Sequence, residues 1–390
     1  MIEGIRLGTT SAGIRQTERD DLAVIEISEG SNVVSVFTLN AFCAAPVTIA
    51  KQHLSATTPK YLLINSGNAN AGTGASGHRD CLDTCQMLAD KTSSDLNSIL
   101  PFSTGVIGER LPIKLFNTAI TAALKNLTAN GWKAASRAIM TTDTCEKRAS
   151  LECEINGKKI KIEGMAKGSG MIRPNMATML AYVATDASVE TELLQHCLQE
   201  SVDKSFNRIT VDGDTSTNDA CVLIATGKSN IEVKRNDREQ FQKAVDEVFI
   251  KLAHAIVKDG EGATKFISIE VFGGKTDKEC REIGYCIAHS PLVKTAFFAS
   301  DPNWGRLLAA IGRADVEQLD VSKISIMLGD VHLIENGEPA ETYTEEQGAS
   351  VMKKDEIAIK VDLGRGAAVD TVWTCDLSYD YVRINAEYRT

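Results

Sequence analysis

The 390-residue sequence lacks several features that would place it in a special class of protein. No apolar run reaches the roughly 18 residues that a membrane-spanning helix needs, and the first residues lack the apolar centre of a signal peptide. Basic residues are not in excess, since 42 Lys and Arg stand against 52 Asp and Glu, a net charge of −10. Nucleic-acid binding usually depends on a basic surface. These absences predict a cytoplasmic protein that binds neither membrane nor nucleic acid.

Cysteine and histidine are present, but not in the spacings that bind metals. The ten cysteines contain no CxxC pair, and the six histidines show no HxxxH or HxxEH spacing. Cys81 and Cys85 lie four residues apart on a predicted helix, where two thiols share a face without bonding. Because no export signal is seen, we expect all ten cysteines to be reduced thiols. The sequence predicts no metal site and no bound cofactor.

Helical and strand patterns alternate along the whole chain. The composition, 43% hydrophobic and 24% charged, is typical of a globular protein. Helices are predicted after Pro112, after a capping Ser188, and from Phe241 to a stop at Gly260. The predicted strands include Leu22–Ser28, Val33–Leu39, Tyr61–Ile64, Met179–Thr185, Phe266–Phe272, Ile357–Leu363 and Val369–Leu377. The predicted fold class is α/β or α+β, and composition places no domain boundary.

One glycine-rich loop resembles a dinucleotide-binding motif. Gly72, Gly74 and Gly77 match GxGxxG, after an apolar run and before a helix-like stretch. Seven residues separate Ile64 from Gly72, however, whereas the glycines of that motif follow their strand almost at once. Asp95, the candidate ribose ligand, lies in a polar stretch and ends no second strand. A Gly/Asn-rich loop is therefore the favoured interpretation, and a dinucleotide-binding protein with an intact chain is the less favoured one.

Two further loops resemble ligand sites only in part. Thr226–Ser229 has the tail of a phosphate loop but lacks its leading glycine, so we expect a turn after a strand at residues 221–225. The segment Asp212–Asp219 is rich in oxygen ligands, yet an EF-hand would need Gly at 217 and Glu at 223, where Thr and Leu stand. A polar loop lining a pocket is the better interpretation.

The segment from Lys167 to Asp186 carries the most informative pattern. A loop with two glycines, a proline and an asparagine leads into Ala177 and Thr178, and a β-like run follows. Taken alone, this composition favours an ordinary loop-to-strand junction. The alternative starts from the Thr178 hydroxyl, which at the first position of a strand can attack its own preceding carbonyl. The peptide then shifts to an ester, water cleaves it, and Thr178 becomes an amino terminus.

A new amino terminus at Thr178 would supply its own base. A threonine hydroxyl is a weak nucleophile at neutral pH and needs a proton acceptor. An α-amine, with an unperturbed pKa of about 7.7–8.0, is well matched to that task. The absence of a Ser/His/Asp arrangement is then explained, because one residue provides both nucleophile and base.

Residues 167–180, KGSGMIRPNMATML, resemble the cleavage-site signature of the ornithine acetyltransferase family, the bifunctional glutamate N-acetyltransferases of arginine biosynthesis. The resemblance is not confined to this motif. Similar blocks occur in order at residues 36–46, 64–71, 103–108, 140–144, 211–219, 259–265, 300–306 and 382–390. Together they make the interpretation of Thr178 as nucleophile the favoured one.

The resemblance implies an architecture and a maturation step. It implies an αββα sandwich with a second, smaller lobe. It also implies self-cleavage between Ala177 and Thr178, giving an α chain (1–177) and a β chain (178–390) that stay associated as an α2β2 heterotetramer. In the printed sequence these two segments form one uninterrupted chain.

The resemblance also assigns roles to individual residues. Thr178 accepts the acetyl group and binds substrate. Thr104 and Gly105 stabilise the oxyanion, which agrees with the close backbone approach that a glycine allows. Lys167 and Glu261 match the charged substrate contacts, as suits a zwitterionic ligand. Further substrate contacts are Thr141, Asn385 and Thr390, and an alignment shifted by one residue would replace Thr141 by Thr142.

The reaction implied by the resemblance is a ping-pong acetyl transfer. The acetyl group moves from N2-acetyl-L-ornithine to L-glutamate through an acetyl-threonine enzyme, and whether acetyl-CoA is also a donor stays open. The rival interpretation is a self-cleaving aminopeptidase or amidohydrolase, in which water receives the acyl group. Ornithine release that depends on glutamate separates the two.

Overall fold

The computed structural model describes residues 1–15, 19–173 and 179–387. It divides into two compact units. Unit 1 comprises Met1–Asn207 and Asp214–Ile256, and unit 2 comprises Arg208–Gly213 and Val257–Thr390. Helices and strands are mixed in both, which confirms the α/β class. This division of the fold is separate from the predicted cleavage into 1–177 and 178–390, which remains a prediction.

Unit 1 is a four-layer sandwich of two sheets between helices. One sheet has the strand order β1-β2-β4-β5 and the other has the order β3-β10-β8-β7-β6. The elements of this part of the chain are β1 Ile5–Thr10, β2 Leu22–Ile27, β3 Asn32–Phe37, α1 Ala45–Ala56, β4 Tyr61–Asn68, α2 Gly74–Thr92, β5 Ile99–Val106, α3 Phe116–Lys125, α4 Trp132–Ala138, β6 Lys147–Ile155, β7 Lys158–Lys167, β8 Leu180–Thr185, β9 Ser188–Val189, α5 Thr191–Lys204, β10 Ala220–Ala225, β11 Glu232–Val233 and α6 Arg238–Lys258.

The core of unit 1 lies between its two sheets. Apolar side chains of β1, β2, β4 and β5 face those of β7, β8 and β10 in one buried cluster. Phe102 of β5 meets Tyr182 of β8 edge to face, with ring centroids 5.3 Å apart. A second cluster joins the outer face of the first sheet to α2 and α3. All six residues of β8 and of β10 are buried, as expected for central strands covered on both faces.

Unit 2 is built on one mixed sheet with the order β15-β14-β13-β16-β12-β17, in which β12 and β16 run parallel. An aliphatic cluster, which includes Ile269, Ile283 and Ile359, joins the sheet to its helices. The elements are β12 Phe266–Gly274, α7 Asp277–Ala288, α8 Pro291–Phe298, α9 Trp304–Gly312, β13 Ser325–Leu328, β14 Val331–Glu335, β15 Glu338–Pro339, α10 Glu345–Met352, β16 Glu356–Asp362, β17 Ala368–Cys375 and α11 Tyr379–Ala386.

One expectation about local structure is wrong, and one predicted strand is longer than expected. Ser188 does not cap the second predicted helix, because it pairs with Glu232 in the short β9–β11 ladder and the helix begins at Thr191. The strand predicted at Tyr61–Ile64 continues to Asn68, since polar residues 65–68 pair with β5. Polarity suggests a loop there, but backbone pairing with a parallel neighbour does not require apolar side chains on both strands.

Candidate active site

Thr104 and Gly105 lie near the carboxyl end of β5, beside the end of the parallel strand β4. Gly105 has φ +134°, and a Cβ placed on it would lie 2.3 Å from the carbonyl carbon of Gly67 and 2.5 Å from the nitrogen of Asn68. Only glycine fits this backbone crossing. The structure thus explains the Thr-Gly sequence by close packing, while the predicted oxyanion role remains a prediction.

Lys167 brings two predicted site residues together. It ends β7, its residue surface is only 3% exposed, and its Nζ donates a hydrogen bond to Thr104 Oγ1 at 3.2 Å. Burial lowers the pKa of Lys167, against the opposing effect of the Asp143 carboxylate. An ammonium has three N–H donors. Within the described residues Lys167 uses one of them, which leaves capacity for an anionic or carbonyl group of a ligand.

Asp143, which the sequence reasoning did not single out, organises this site. Its carboxylate accepts hydrogen bonds from Lys147 Nζ at 2.7 Å, from the Gly168 N–H at 2.8 Å and from the Thr141 N–H at 2.9 Å. The side chains of Asp143 and Lys147 are fully buried. Burial alone would raise the pKa of Asp143, but the charges of Lys167 and Lys147 outweigh it and leave the pKa well below its usual value. Asp143 is therefore held as an anion between two lysines.

Thr141 is fixed through its backbone. Its N–H binds Asp143, and its carbonyl accepts a hydrogen bond from Arg15 at 3.0 Å. Thr141 and Thr142 are both half-buried. The structure therefore places Thr141 next to the Asp143–Lys167 group, and the choice between the two threonines as the substrate contact remains as the sequence leaves it.

Asn218 and Asp219 hold the strand ends around this region. The Asn218 amide donates to the carbonyls of Ala69 at 2.6 Å and Ser103 at 2.9 Å, which ties the ends of β4 and β5 to the start of β10. Asp219 Oδ1 accepts the N–H of Met179 at 2.8 Å, just before β8. These residues belong to the segment Asp212–Asp219, and within the described residues no group of three His, Cys, Asp or Glu side chains could hold a metal ion.

Unit 2 brings together the other two charged or polar predictions. Asn385 on α11 donates its amide to Glu261 Oε2 at 2.8 Å and to the carbonyl of Tyr381 at 3.0 Å. Glu261 is buried, although its partner is exposed. The Asp376 carboxylate accepts the backbone N–H groups of Thr264 and Lys265, so the loop that carries Glu261 is fixed by the residue that follows β17. Predicted residues 177, 178 and 390 lie outside the described residues.

The glycine-rich loop after β4 has a local explanation. Because β4 extends to Asn68, the gap to Gly72 is shorter than the sequence predicts. Thr73 donates its hydroxyl to Asn70 Oδ1 at 2.8 Å, and a Cβ on Gly77 would lie 1.8 Å from the Thr73 hydroxyl oxygen. Gly77 thus makes room for an internal hydrogen-bond network. Asp95 caps the short turn before β5 by accepting the Asn97 N–H, which does not support a role as a ribose ligand.

The phosphate-like tail is a turn, as predicted. Thr226 follows β10 and donates its hydroxyl to the carbonyl of Glu3 at 2.7 Å. Cys81 and Cys85 share the buried face of α2 as free thiols, which is also as predicted. No helix among residues 1–15, 19–173 and 179–387 is long and apolar enough to cross a membrane.

Comparison with known proteins identifies the family. The ArgJ family model matches residues 6–390, so the chain belongs to the ArgJ family, as the sequence motifs indicate. The chain is 55% identical over 393 aligned positions to proteins named arginine biosynthesis bifunctional protein ArgJ from Pseudomonas fluorescens and from Psychrobacter arcticus. In both cases the alignment covers 100% of this chain and 97% of the relative.

A solved structure of the same family shares the fold. It is the crystal structure of arginine biosynthesis bifunctional protein ArgJ from Bacillus halodurans, with 40% sequence identity and a TM-score of 0.51. The alignment covers 97% of that solved chain but only 53% of this one. The solved chain is therefore about half as long as the protein described here.

Proposed function

We propose that this protein is an acetyltransferase that moves the acetyl group of N2-acetyl-L-ornithine to L-glutamate. Membership of the ArgJ family supports the class of reaction, and the buried contact between Lys167 and Thr104 is the observation that carries the assignment of the site. A buried ammonium with unused donors is expensive unless a ligand satisfies it. A substrate with a carboxylate and an amide carbonyl supplies suitable acceptors.

The proposed reaction has two half-reactions on Thr178. First, the hydroxyl oxygen of Thr178 attacks the acetyl carbonyl while its proton passes to the α-amine of the same residue. The amide C–N bond then breaks, ornithine leaves with that proton, and an acetyl ester remains on Thr178. In the second half, the amino group of glutamate attacks the ester carbonyl and gives a proton to the α-amine. The ester C–O bond then breaks, the Thr178 oxygen takes that proton back, and N-acetylglutamate leaves. Thr104 and Gly105 would stabilise the oxyanion in both halves, and Lys167, Glu261, Thr141, Asn385 and Thr390 would bind substrate.

The chemistry requires a free amine on Thr178, so the proposal includes self-cleavage between Ala177 and Thr178. The sheet order β3-β10-β8-β7-β6 places strands from both sides of this bond next to each other. Products 1–177 and 178–390 would therefore stay joined through backbone hydrogen bonds and a shared core. The half-length solved relative also supports cleavage, because residues 178–390 make up a similar share of this chain. We further propose an α2β2 assembly, which size-exclusion chromatography with light scattering tests.

Mass spectrometry of the purified protein tests the cleavage, and ornithine release with and without glutamate tests the transfer. We expect a fragment that begins Thr-Met-Leu-Ala and release that depends on glutamate. Thr178→Ala should abolish both cleavage and turnover, whereas Thr178→Ser, which keeps a hydroxyl, should retain part of each. An intact, fully active chain contradicts the proposal, and release independent of glutamate favours the amidohydrolase.

The name "bifunctional" of the relatives motivates a second donor. We propose that acetyl-CoA also acetylates Thr178. Formation of N-acetylglutamate from acetyl-CoA and glutamate, lost in Thr178→Ala, would support this activity, and its absence in the cleaved enzyme would restrict the protein to acetylornithine.

A further inference from the structure

Asp219 is a buried carboxylate held beside the start of β8. Its residue surface is 1% exposed, and its Oδ1 accepts the Met179 N–H at 2.8 Å. The backbone around it is also fixed, since the Asp219 carbonyl accepts the Thr38 N–H at 3.0 Å and the Ala220 N–H donates to the Met179 carbonyl at 3.2 Å. The carboxylate therefore binds the backbone N–H of Met179, the residue that directly follows Thr178 in the chain.

The second carboxylate oxygen of Asp219 has no hydrogen-bond partner within the described residues. Oδ2 is buried, so it has lost its hydrogen bonds to water, and no described group replaces them. Burial raises the pKa of Asp219 well above its usual value, outweighing the Met179 N–H, the Ser216 hydroxyl and the charge of Lys167, which favour the anion. A buried, incompletely satisfied carboxyl group is costly, and such groups concentrate at functional sites.

The nitrogen of residue 178 is linked covalently to the backbone nitrogen that Asp219 binds. Consecutive backbone nitrogens are separated by three bonds, through one Cα and one carbonyl carbon, so they stay within about 4 Å of each other in any conformation. Met179 N lies 2.8 Å from Asp219 Oδ1. The α-amine that cleavage would create on Thr178 would be three covalent bonds from the nitrogen that this carboxylate binds.

We propose that Asp219 is a positioning residue for the Thr178 nucleophile: it anchors residue 179 through one oxygen and holds the α-amine of Thr178 with the other. The inference rests on the proposed function and assigns a partner to the α-amine that acts as the base. When the amine takes the proton from the Thr178 hydroxyl, the resulting ammonium stands beside a carboxylate. When that proton leaves with ornithine, Asp219 is unchanged, so no net proton is gained or lost.

The test uses the full chain with Asp219→Asn, which keeps an oxygen acceptor for the Met179 N–H and removes the charge. An anionic neighbour raises the pKa of an amine. In the cleaved variant we expect the acid limb of the kcat/KM profile for acetylornithine to move to lower pH by about 1 unit or more. We also expect kcat to fall about tenfold or more with little change in KM. A kcat and pH profile equal to those of the parent enzyme overturn the inference.

Asp186→Asn is the matched control. Asp186 lies just after the opposite end of β8, where it also accepts a backbone N–H, that of Lys161 at 2.8 Å, and burial also raises its pKa. It should leave kcat and the pH profile unchanged. An equal shift in both variants would show a general structural effect and would overturn the inference.

Two further measurements keep the outcomes distinct. If Asp219→Asn does not fold, the smaller Asp219→Ser, checked by circular dichroism, gives the same readouts. If the parent chain neither cleaves nor transfers acetyl groups, the proposed function fails. If the parent does both and the Asp219 variants match it, only the positioning role fails.

Discussion

In the part of the chain that the structure describes, each unit contains a buried lysine that donates a hydrogen bond to a buried threonine. In unit 1 Lys167 contacts Thr104 at 3.2 Å, and in unit 2 Lys294 contacts Thr374 at 3.0 Å. The two lysines are 3% and 4% exposed, so burial alone does not distinguish them. Their remaining partners do.

Lys294 is satisfied by permanent groups of the protein. Besides Thr374, its ammonium donates to the carbonyl of Cys375 and approaches the Cys375 sulfur at 3.8 Å. The Lys167 ammonium makes one hydrogen bond within the described residues and lies beside Asp143, which is itself held by Lys147. A lysine whose donors are all used stabilises the fold, whereas one with spare donors beside a fixed anion is suited to binding. The partners of a buried charge therefore indicate its role better than its burial does.

The largest expected effect comes from removing the charge of Asp143, the anion beside Lys167. Asp143→Asn removes the carboxylate that Lys147 and Lys167 share, and breaking a buried pair costs about 3–5 kcal/mol of the free energy of unfolding. Denaturant unfolding of the Thr178→Ala chain measures this loss without cleavage. The double variant Asp143→Asn, Lys147→Met should recover part of it, because the lysine charge is then removed too. A loss below about 1 kcal/mol for Asp143→Asn would contradict the assigned role.

We also expect the effect of Asp143→Asn on stability to depend on pH. The pKa of Asp143 is lower in the folded protein than in the unfolded chain, so its contribution to stability is present above the unfolded value of about 4 and is lost as the pH falls below it. The difference in unfolding free energy between the parent and Asp143→Asn should therefore shrink below about pH 4. A difference that stays constant down to pH 2 would argue against a depressed pKa.

The next largest effect should appear in turnover. Thr104→Val removes the hydroxyl that contacts Lys167 and that we propose stabilises the oxyanion. Losing one such donor typically costs about 3–4 kcal/mol of barrier, so kcat should fall on the order of 100- to 1,000-fold. Thr374→Val removes the matching hydroxyl in unit 2 and should leave kcat unchanged. Ornithine release by the two variants, measured side by side, tests this difference directly. Equal losses of kcat would contradict it.

The smallest effect should come from replacing Lys294, the buried lysine whose donors are all used within the fold. Lys294→Met leaves the Thr374 hydroxyl and the Cys375 carbonyl without their buried donor, which costs about 1–3 kcal/mol of unfolding free energy. Thermal unfolding measures this loss, and kcat per folded molecule should not change. A large fall in kcat with unaltered stability would show that Lys294, too, serves the reaction.

Much of the fold could be predicted from local patterns. The predicted strands at Leu22–Ser28, Phe266–Phe272 and Ile357–Leu363 match β2, β12 and β16 within two residues. The apolar residues of each of these strands are close together in the sequence. The sequence of the strand alone therefore indicates that it is buried. The sequence reasoning missed β5 and the hairpin of β6 and β7. Pro101 interrupts the first pattern, and charged residues on exposed faces dilute the other two.

The candidate site divides in the same way. The motifs select Lys167, Thr104, Glu261 and Asn385, and the structure shows that these residues meet in two pairs. The motifs do not single out Asp143 or Asp219. Each of these carboxylates looks like an ordinary solvated charge in the sequence. What distinguishes them is that they are buried and accept N–H groups from other strands or loops.

The amino-acid sequence alone determined the family and the position of several strands and helices, because shared motifs and apolar periodicity are properties of neighbouring residues. Only the tertiary structure decided which charges are buried and with which partners. Lys167 and Thr104 are 63 residues apart in the chain, and they meet because their strands belong to facing sheets. A hydrogen bond of this kind depends on strand order and sheet packing, which hydrophobic periodicity does not encode.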